Sequence, residues 1–360
     1  MTLRVLHATG SLSPDASSVA VSLGGLINAL QAHGIESRTV GFGEDEAGTR
    51  IAGEGISLVG EVDIVHLHGW SGPNSRRLAR AAKRASKPFI ISPHGNLLAT
   101  KHNKRNWRAR LGSLLTERRL IRRAAAVTAL NEIEERQLQS RRFHPRILQL
   151  LYGLDVNEYA LDTSVDDGSA HNTIADDHLP RAAHVLLVLG PIHPIEGFVP
   201  LLKAFAEIGA DSDGWGIVLA GRETGEWRKV LEAAVRRKGE EGRVVIVAAP
   251  DVATQRAWLS RATALAAPSQ LVRFPVSVLQ AVAAGVPVLA SGNVAPTGLE
   301  DVIRVCGTSR DDLKAGLRWL LTLEDAERAK LGQRARRIAQ ARFDWPVLAK
   351  QYVQLYESLS

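Results

Sequence analysis

The sequence predicts an α/β protein made of two doubly wound parallel sheets. Three observations carry this. Short apolar runs recur along the chain, each followed by a segment of helical spacing, as in parallel sheets with helices on both faces. The rhythm breaks once, over residues 160–183, which are polar, carry Asp162, Asp166, Asp167, Asp176 and Asp177, and lack periodicity. It then restarts, and 360 residues suit two domains of this kind. At 45% hydrophobic and 23% charged, the chain can bury two ordinary cores.

In order, residues 3–8 read as a strand, 19–32 as a helix stopped by Gly34, and 37–41 as a short strand. Residues 62–68 form a third strand ending in His68-Gly69-Trp70. A basic helix over 75–85 leads to a strand over 89–92 and the loop Pro93-His94-Gly95-Asn96. A basic helical stretch covers 106–123, and a strand covers 125–130. Asn131 is an N-cap for a helix over 132–140, because its side chain can accept from an unpaired N–H of the first turn. A strand over 146–151 precedes Tyr152-Gly153.

After the break come strands over 185–190, 216–221, 244–248 and 263–267, with helices over 197–208, 226–238 and 253–261 between them. Residues 268–291 read as loop, helix, turn and buried strand. Val276, Leu279, Val282 and Ala283 supply the helical spacing, and Gly285 stops the helix in a left-handed C′ position. Helices over 310–321, 325–341 and 345–359 close the chain. A loop leading from a strand's C-terminal end into a helix N-terminus is where open α/β sheets bind phosphorylated ligands.

Cys306 is the single cysteine, which excludes an internal disulfide and a cysteine metal cluster; it reads as a small apolar residue at a strand end. The net charge of +7 is uneven. Basic pairs crowd residues 76–146: Arg76-Arg77, Lys83-Arg84, Lys104-Arg105, Arg118-Arg119, Arg122-Arg123 and Arg141-Arg142. Without an aromatic platform or a helix-turn-helix signature, nucleic acid is not the expected partner. An anionic membrane surface or a phosphorylated acceptor fits the charge, and so do the solvated faces of amphipathic helices. The N-terminal residues lack the n-region and h-region of a signal peptide. No apolar run approaches the roughly 18 residues that span a bilayer. The expected location is cytoplasmic, with peripheral association at the inner face of the membrane through the basic N-terminal domain.

Six motifs, in order, resemble the group 1 glycosyltransferases (family GT4): VDIVHLHGW, ISPHGNL, ERRLIRRAAAVTALNEIEERQL, GPIHPIEGFVPLLKAFAEI, APS followed by LQAVAAGVPVLAS, and RFDWPVLAKQYVQLYE. The resemblance implies the GT-B fold, two Rossmann-like domains facing a cleft. Residues 1–160 would form the acceptor-side domain, 161–183 a linker, 184–343 the donor-side domain, and 344–360 a helix crossing back to the first domain. It implies retaining transfer of a hexose from a nucleotide sugar to a glycan or lipid-linked acceptor in cell-envelope polysaccharide or glycan biosynthesis. No metal and no other cofactor is implied. Basic side chains and helix N-termini would hold the diphosphate, since stabilising the leaving group's charge is central to the catalysis.

By resemblance, His94 is the active-site histidine beside the donor sugar; otherwise it is a histidine satisfied by a local turn. His68, Trp70 and Asn96 fall on the acceptor side, and Trp70 reads equally well as a core residue. Ser17 and Ser18 stand where the family has a Gly-Gly pair near the diphosphate. Pro191 and Glu196 replace the diphosphate-binding Arg and Lys. A unit-charge contact near 4 Å is worth roughly 4 kcal/mol at an effective dielectric of about 20, so a carboxylate there opposes a diphosphate. Val272 and Gln280 replace the family's Glu-x7-Glu, whose glutamates contact sugar and ribose. Gln280 keeps hydrogen-bonding capacity without charge, and Pro275 removes a backbone N–H. Arg273 and Arg222 are substitute cations, although a surface ion pair with Glu223 or Glu226 is the preferred reading of Arg222. Phe274 and Val276 complete the donor-side candidates, and Tyr152-Gly153 occupies the family's interdomain Asn-Gly turn.

Two readings follow. One is an active enzyme with Arg222 and Arg273 as phosphate clamps. The other is an inactive pseudo-glycosyltransferase serving as a partner subunit or glycan-binding module. An epimerase of the same architecture is weaker, because acidic groups for both faces of a sugar are not identifiable.

Overall fold

The computed structural model describes residues 2–10, 12, 18–41, 55–70, 72–95, 118–160, 180, 182–223, 225–248, 252–271 and 276–360. The chain forms two compact units, Met1–Gly153 with Trp345–Ser360, and Leu154–Asp344. The expected linker over 161–183 lies almost wholly outside the described residues.

The first unit holds β1 (Arg4–Thr9), β2 (Glu36–Gly41), β3 (Ile64–His68), β4 (Phe89–Ser92), β5 (Ala126–Ala129) and β6 (Ile147–Gln149), all parallel, in the order β2-β1-β3-β4-β5-β6. Alternate residues of a strand face opposite sides. One face presents Leu6, Ala8, Val65, Leu67, Phe89, Ile91, Val127 and Ala129 to an apolar core that takes in Leu78 and Ala82 of helix Gly72–Arg84. The opposite face carries His7, His66, His68, Ser92 and Thr128, and it is also buried. Register puts His7 beside His66 and Thr9 beside His68, with Ser92 beside His68 on the other flank. The last helix, Trp345–Glu357, packs in this unit and lays Tyr352 and Tyr356 against His66. Helix Ser18–Gln31 packs on it with Gly25 facing Trp345: a Cβ there would lie 2.0 Å from the indole nitrogen.

The second unit holds β7 (His184–Leu189), β8 (Trp215–Ala220), β9 (Val244–Val247), β10 (Ala264–Ala267), β11 (Val288–Ser291) and β12 (Arg304–Cys306), parallel, in the order β12-β11-β10-β7-β8-β9. Leu186, Val188, Ile217 and Leu219 pack on Leu201 and Phe205 of helix Phe198–Glu207 and on Leu313, Leu317 and Leu320 of helix Arg310–Leu321. The second sheet has the 3-2-1-4-5-6 order, whereas the first runs 2-1-3-4-5-6; in each the strand order reverses beside its first strand, which makes both sheets doubly wound.

Local signals read from the sequence recur here. Asn131 caps helix Glu132–Ser140 by accepting from the Glu134 N–H. Gly285 has φ +73° after helix Val276–Ala283. The short edge strand β12 was not anticipated beyond Cys306 at a strand end, since its three residues are too few for a pattern. Only the end of the expected basic helix over 106–123 is described, and residues 118–121 are helical.

Candidate active site

In the first unit, β4 ends at Ser92 and the chain turns through Pro93-His94-Gly95. His94 and Gly95 both adopt left-handed backbone, with φ of +52° and +79°. A non-glycine side chain in that region needs outside support. Glu134 supplies it. The carboxylate, 1% exposed, accepts from Gly95 N at 2.7 Å and from Leu130 N at 2.9 Å. Burial pushes its pKa up, and the two backbone donors pull the other way. The sequence reading overlooked Glu134. The Asn131-x-x-Glu134 spacing of a capping box was the available signal, but it does not announce the contact with Gly95.

His94 is 8% exposed. Its Nε2 lies 3.0 Å from the Tyr152 hydroxyl, and its Nδ1 has no hydrogen-bond partner among the described residues. Burial lowers its pKa to about 3, so the ring is neutral near pH 7. Tyr152-Gly153 closes the first unit's main segment, and the Tyr152 side chain is fully buried between His94 and His68.

Behind this loop the polar face of the sheet carries two hydrogen-bonded sets. His68 bonds Tyr152 through Nδ1 and His7 through Nε2, the latter at 3.0 Å. His66 lies 2.7 Å from both the Tyr356 hydroxyl and Ser92 Oγ, and Ser92 lies 2.6 Å from Thr128 Oγ1. Burial is the largest cause lowering the pKa of each histidine, to about 3 for His7 and well below the usual value for His66 and His68. His7, His66 and His68 place ring nitrogens within 4.8 Å of one another, a spacing that suits a metal ion. Every one of those nitrogens already has a hydrogen-bond partner, and no carboxylate is among the partners to balance a divalent charge.

One expectation needs correction, and one open reading is decided. His68 and Trp70 do not present side chains to an acceptor surface. His68 is committed to the buried set, and Trp70 belongs to the apolar core on the other face of the sheet. Asn96 lies outside the described residues, as do Ser17, Val272, Arg273, Phe274 and Pro275; Ser18 opens helix Ser18–Gln31.

In the second unit, loops leaving β7, β8 and β10 interlock. A Cβ on Gly221 would sit 1.7 Å from Gly190 O, and one on Gly197, at φ +76°, would sit 2.3 Å from Pro268 O. Ile192 N donates to Arg222 O at 2.9 Å, and Gln270 N donates to Ile195 O at 2.8 Å. Pro191 is half-buried at the head of this loop. His193 caps the 3-10 turn Pro194–Glu196 by accepting from Ile195 N. Glu196, only 6% exposed, turns its carboxylate toward Gly190. The glycines that let backbone segments meet are kept, while a carboxyl side chain stands where the resemblance calls for lysine.

Gln280 is a further donor-side candidate in this unit. It is 2% exposed, and its Nε2 donates to the Tyr159 hydroxyl at 3.0 Å. Tyr159 lies under the Arg256 guanidinium, which pairs with Glu158. Gln280 thus ties helix Val276–Ala283 to the 3-10 turn Asn157–Tyr159 through its amide nitrogen. Val276, at the start of the same helix, is half-buried. Arg222 is exposed; Glu223 bonds Arg228 at 2.7 Å and Glu226 bonds Lys229 at 2.9 Å. Among the described residues, no helix is long and apolar enough to cross a membrane.

Comparison with known proteins agrees with this architecture. A family model for a glycosyl transferase 4-like domain matches residues 58–153, and one for glycosyl transferases group 1 matches residues 183–323. The chain is 26% identical over 321 residues to a D-inositol 3-phosphate glycosyltransferase of Jonesia denitrificans, covering 83% of this chain and 72% of that protein. A protein of the same description from Xylanimonas cellulosilytica is 26% identical over 317 residues, covering 82% and 72%. Among solved structures, Anabaena Alr3699/HepE in complex with UDP and glucose aligns with a TM-score of 0.75 at 17% identity, over 99% of this chain and 100% of that one. A UDP-forming α,α-trehalose-phosphate synthase from Burkholderia xenovorans, in complex with glucose-6-phosphate, aligns with a TM-score of 0.76 at 11% identity, over 98% and 100%. At these identities the solved structures speak for the fold.

Proposed function

The chain belongs to the group 1, GT4-like glycosyltransferases, and we propose that it transfers a hexose, with retention, from a nucleotide diphosphate sugar to a hydroxyl of a glycan or lipid-linked acceptor in cell-envelope polysaccharide or glycan biosynthesis. The observation that carries this reading is the His94 loop. A neutral imidazole sits at a strand's C-terminal end, on backbone held left-handed by Glu134, with Nδ1 unpartnered among the described residues. A buried polar atom without a partner is costly, and a ligand hydroxyl is the partner that relieves it. The relatives support the substrate class, since Alr3699/HepE was solved with UDP and glucose and the Jonesia protein is a glycosyltransferase of an inositol phosphate.

Arg222 and Arg273 are the cations that would clamp the diphosphate in place of the Arg and Lys replaced by Pro191 and Glu196. Calorimetric titration with UDP, GDP and their sugars tests the proposal. Micromolar binding that weakens in Arg273→Ala and turnover that disappears in His94→Ala are the expected results. Millimolar or absent binding of every nucleotide would favour the second reading, a pseudo-glycosyltransferase acting as a partner subunit or glycan-binding module. Two observations support that alternative: the buried carboxylate of Glu196 and the engagement of Gln280 with Tyr159.

We also infer peripheral attachment to the inner face of the cytoplasmic membrane. Helix Gly72–Arg84 carries Arg76, Arg77, Arg80, Lys83 and Arg84, and juxtamembrane cations contribute about 1 kcal/mol each at an anionic surface. Co-sedimentation with vesicles containing phosphatidylglycerol, and its loss at high salt, tests this.

A further inference from the structure

Five side chains in the first unit stand in single file. Ser37 Oγ lies 3.4 Å from His7 Nε2, and His7 Nδ1 lies 3.0 Å from His68 Nε2. His68 Nδ1 bonds the Tyr152 hydroxyl, which lies 3.0 Å from His94 Nε2. His94 Nδ1 ends the file, unpartnered among the described residues. His7 and His68 each enter the file through one ring nitrogen and leave through the other.

Burial keeps all three rings neutral near pH 7. A neutral imidazole carries one proton, so it donates on one side and accepts on the other. The Tyr152 hydroxyl also has one proton, and it stands between two ring nitrogens. The choice at each link therefore sets the next, and two arrangements run through the whole file. In one, His94, His68 and His7 all carry the proton on Nε2, and donation runs from His94 toward Ser37. In the other, all three carry it on Nδ1, and donation runs from Ser37 toward His94.

We propose that His7, His68 and Tyr152 act as one positioning unit that sets the tautomer of His94, keeping its proton on Nε2 and leaving Nδ1 as a bare acceptor for a ligand hydroxyl. The Nε2 arrangement wins because its loose end is a lone pair at a buried nitrogen that has no partner among the described residues. The alternative would leave an unpaired buried N–H, the rarer and costlier defect. Ser37 is half-buried on the edge strand β2, so its hydroxyl can accept from His7 and donate onward to water. The consequence is selectivity at one atom. A sugar or polyol hydroxyl has a proton to give Nδ1, whereas a phosphate or carboxylate oxygen has none and is repelled by the lone pair.

The inference concerns the same His94 as the proposed function, but its test does not depend on turnover. Long-range proton–nitrogen correlation spectra of the full chain, labelled with 15N-histidine near neutral pH, report the tautomer of each ring. His7, His68 and His94 are expected to share the Nε2–H form, and any two of them in different forms would overturn the proposal. Tyr152→Phe keeps the ring and cuts the file. His94 should then populate both tautomers while His7 and His68 remain matched, and an unchanged His94 signal would count against coupling. Ser37→Ala lies far from His94 along the file and serves even if Tyr152→Phe fails to fold. It should move all three rings together toward Nδ1–H, and a change confined to His7 would sink the idea. Loss of transfer activity with the shared tautomer intact would count against the proposed function and leave the positioning unit standing.

Discussion

Lowering the pH from neutral to about 5 should destabilise the first unit through its buried histidines. His7 and His94 have folded-state pKa values of about 3, against an ordinary value of 6.5. A depressed value means that the unfolded chain takes up protons that the folded chain refuses. Stability is therefore full above about 6.5 and falls as the pH descends toward 3. At about pH 5 each independent ring lies roughly 1.5 pH units into that window, worth about 2 kcal/mol at about 1.36 kcal/mol per unit. The two rings together give about 4 kcal/mol, a large share of the 5–15 kcal/mol typical of a native protein. His66 and His68 have the same sign, but their charges oppose those of their neighbours, so their contributions do not simply add. Glu134 acts in the opposite direction, since its raised pKa favours the folded state in acid. Urea unfolding followed by near-ultraviolet circular dichroism at neutral pH and at about pH 5 measures the loss. His7→Gln should flatten the slope, by up to about 2 kcal/mol at about pH 5, because one titrating ring is gone. Stability at about pH 5 within about 1 kcal/mol of the neutral value would refute the reasoning, because it would mean the rings are not held as neutral members of a buried set.

Three more outcomes follow from particular contacts. Glu134→Ala removes acceptors from two backbone N–H groups; it should cost about 2–4 kcal/mol in chemical denaturation and lower kcat more than it raises KM, since His94 loses its support. Gln280→Ala should cost about 1–3 kcal/mol by freeing the buried Tyr159 hydroxyl, with nucleotide affinity in calorimetry unchanged; the triple change Glu196→Lys, Val272→Glu and Gln280→Glu should raise that affinity by tenfold or more. Gly332→Ala would put a Cβ 1.9 Å from Gly285 O, backbone against backbone, and a thermal melt should register a loss of about 1–3 kcal/mol.

The alternation of strands and helices, the Asn131 cap, the Gly285 stop and the family motifs were legible in the linear chain. Each depends on residues within a few positions of one another, and backbone preference and periodicity act over that range. The site's working contacts were not legible, because parallel pairing joins positions far apart in sequence. His7 meets His68 across 61 residues, Gly95 meets Glu134 across 39, and Gln280 meets Tyr159 across 121. A histidine in a strand reads the same from its neighbours whether it faces a ligand or a second histidine. Strand register and the docking of the last helix decide which, and they made His68, an acceptor-side candidate, a buried member of a hydrogen-bonded file. Residue types set what chemistry was available, and tertiary packing decided which of those groups were already satisfied and left His94 Nδ1 without a partner among the described residues.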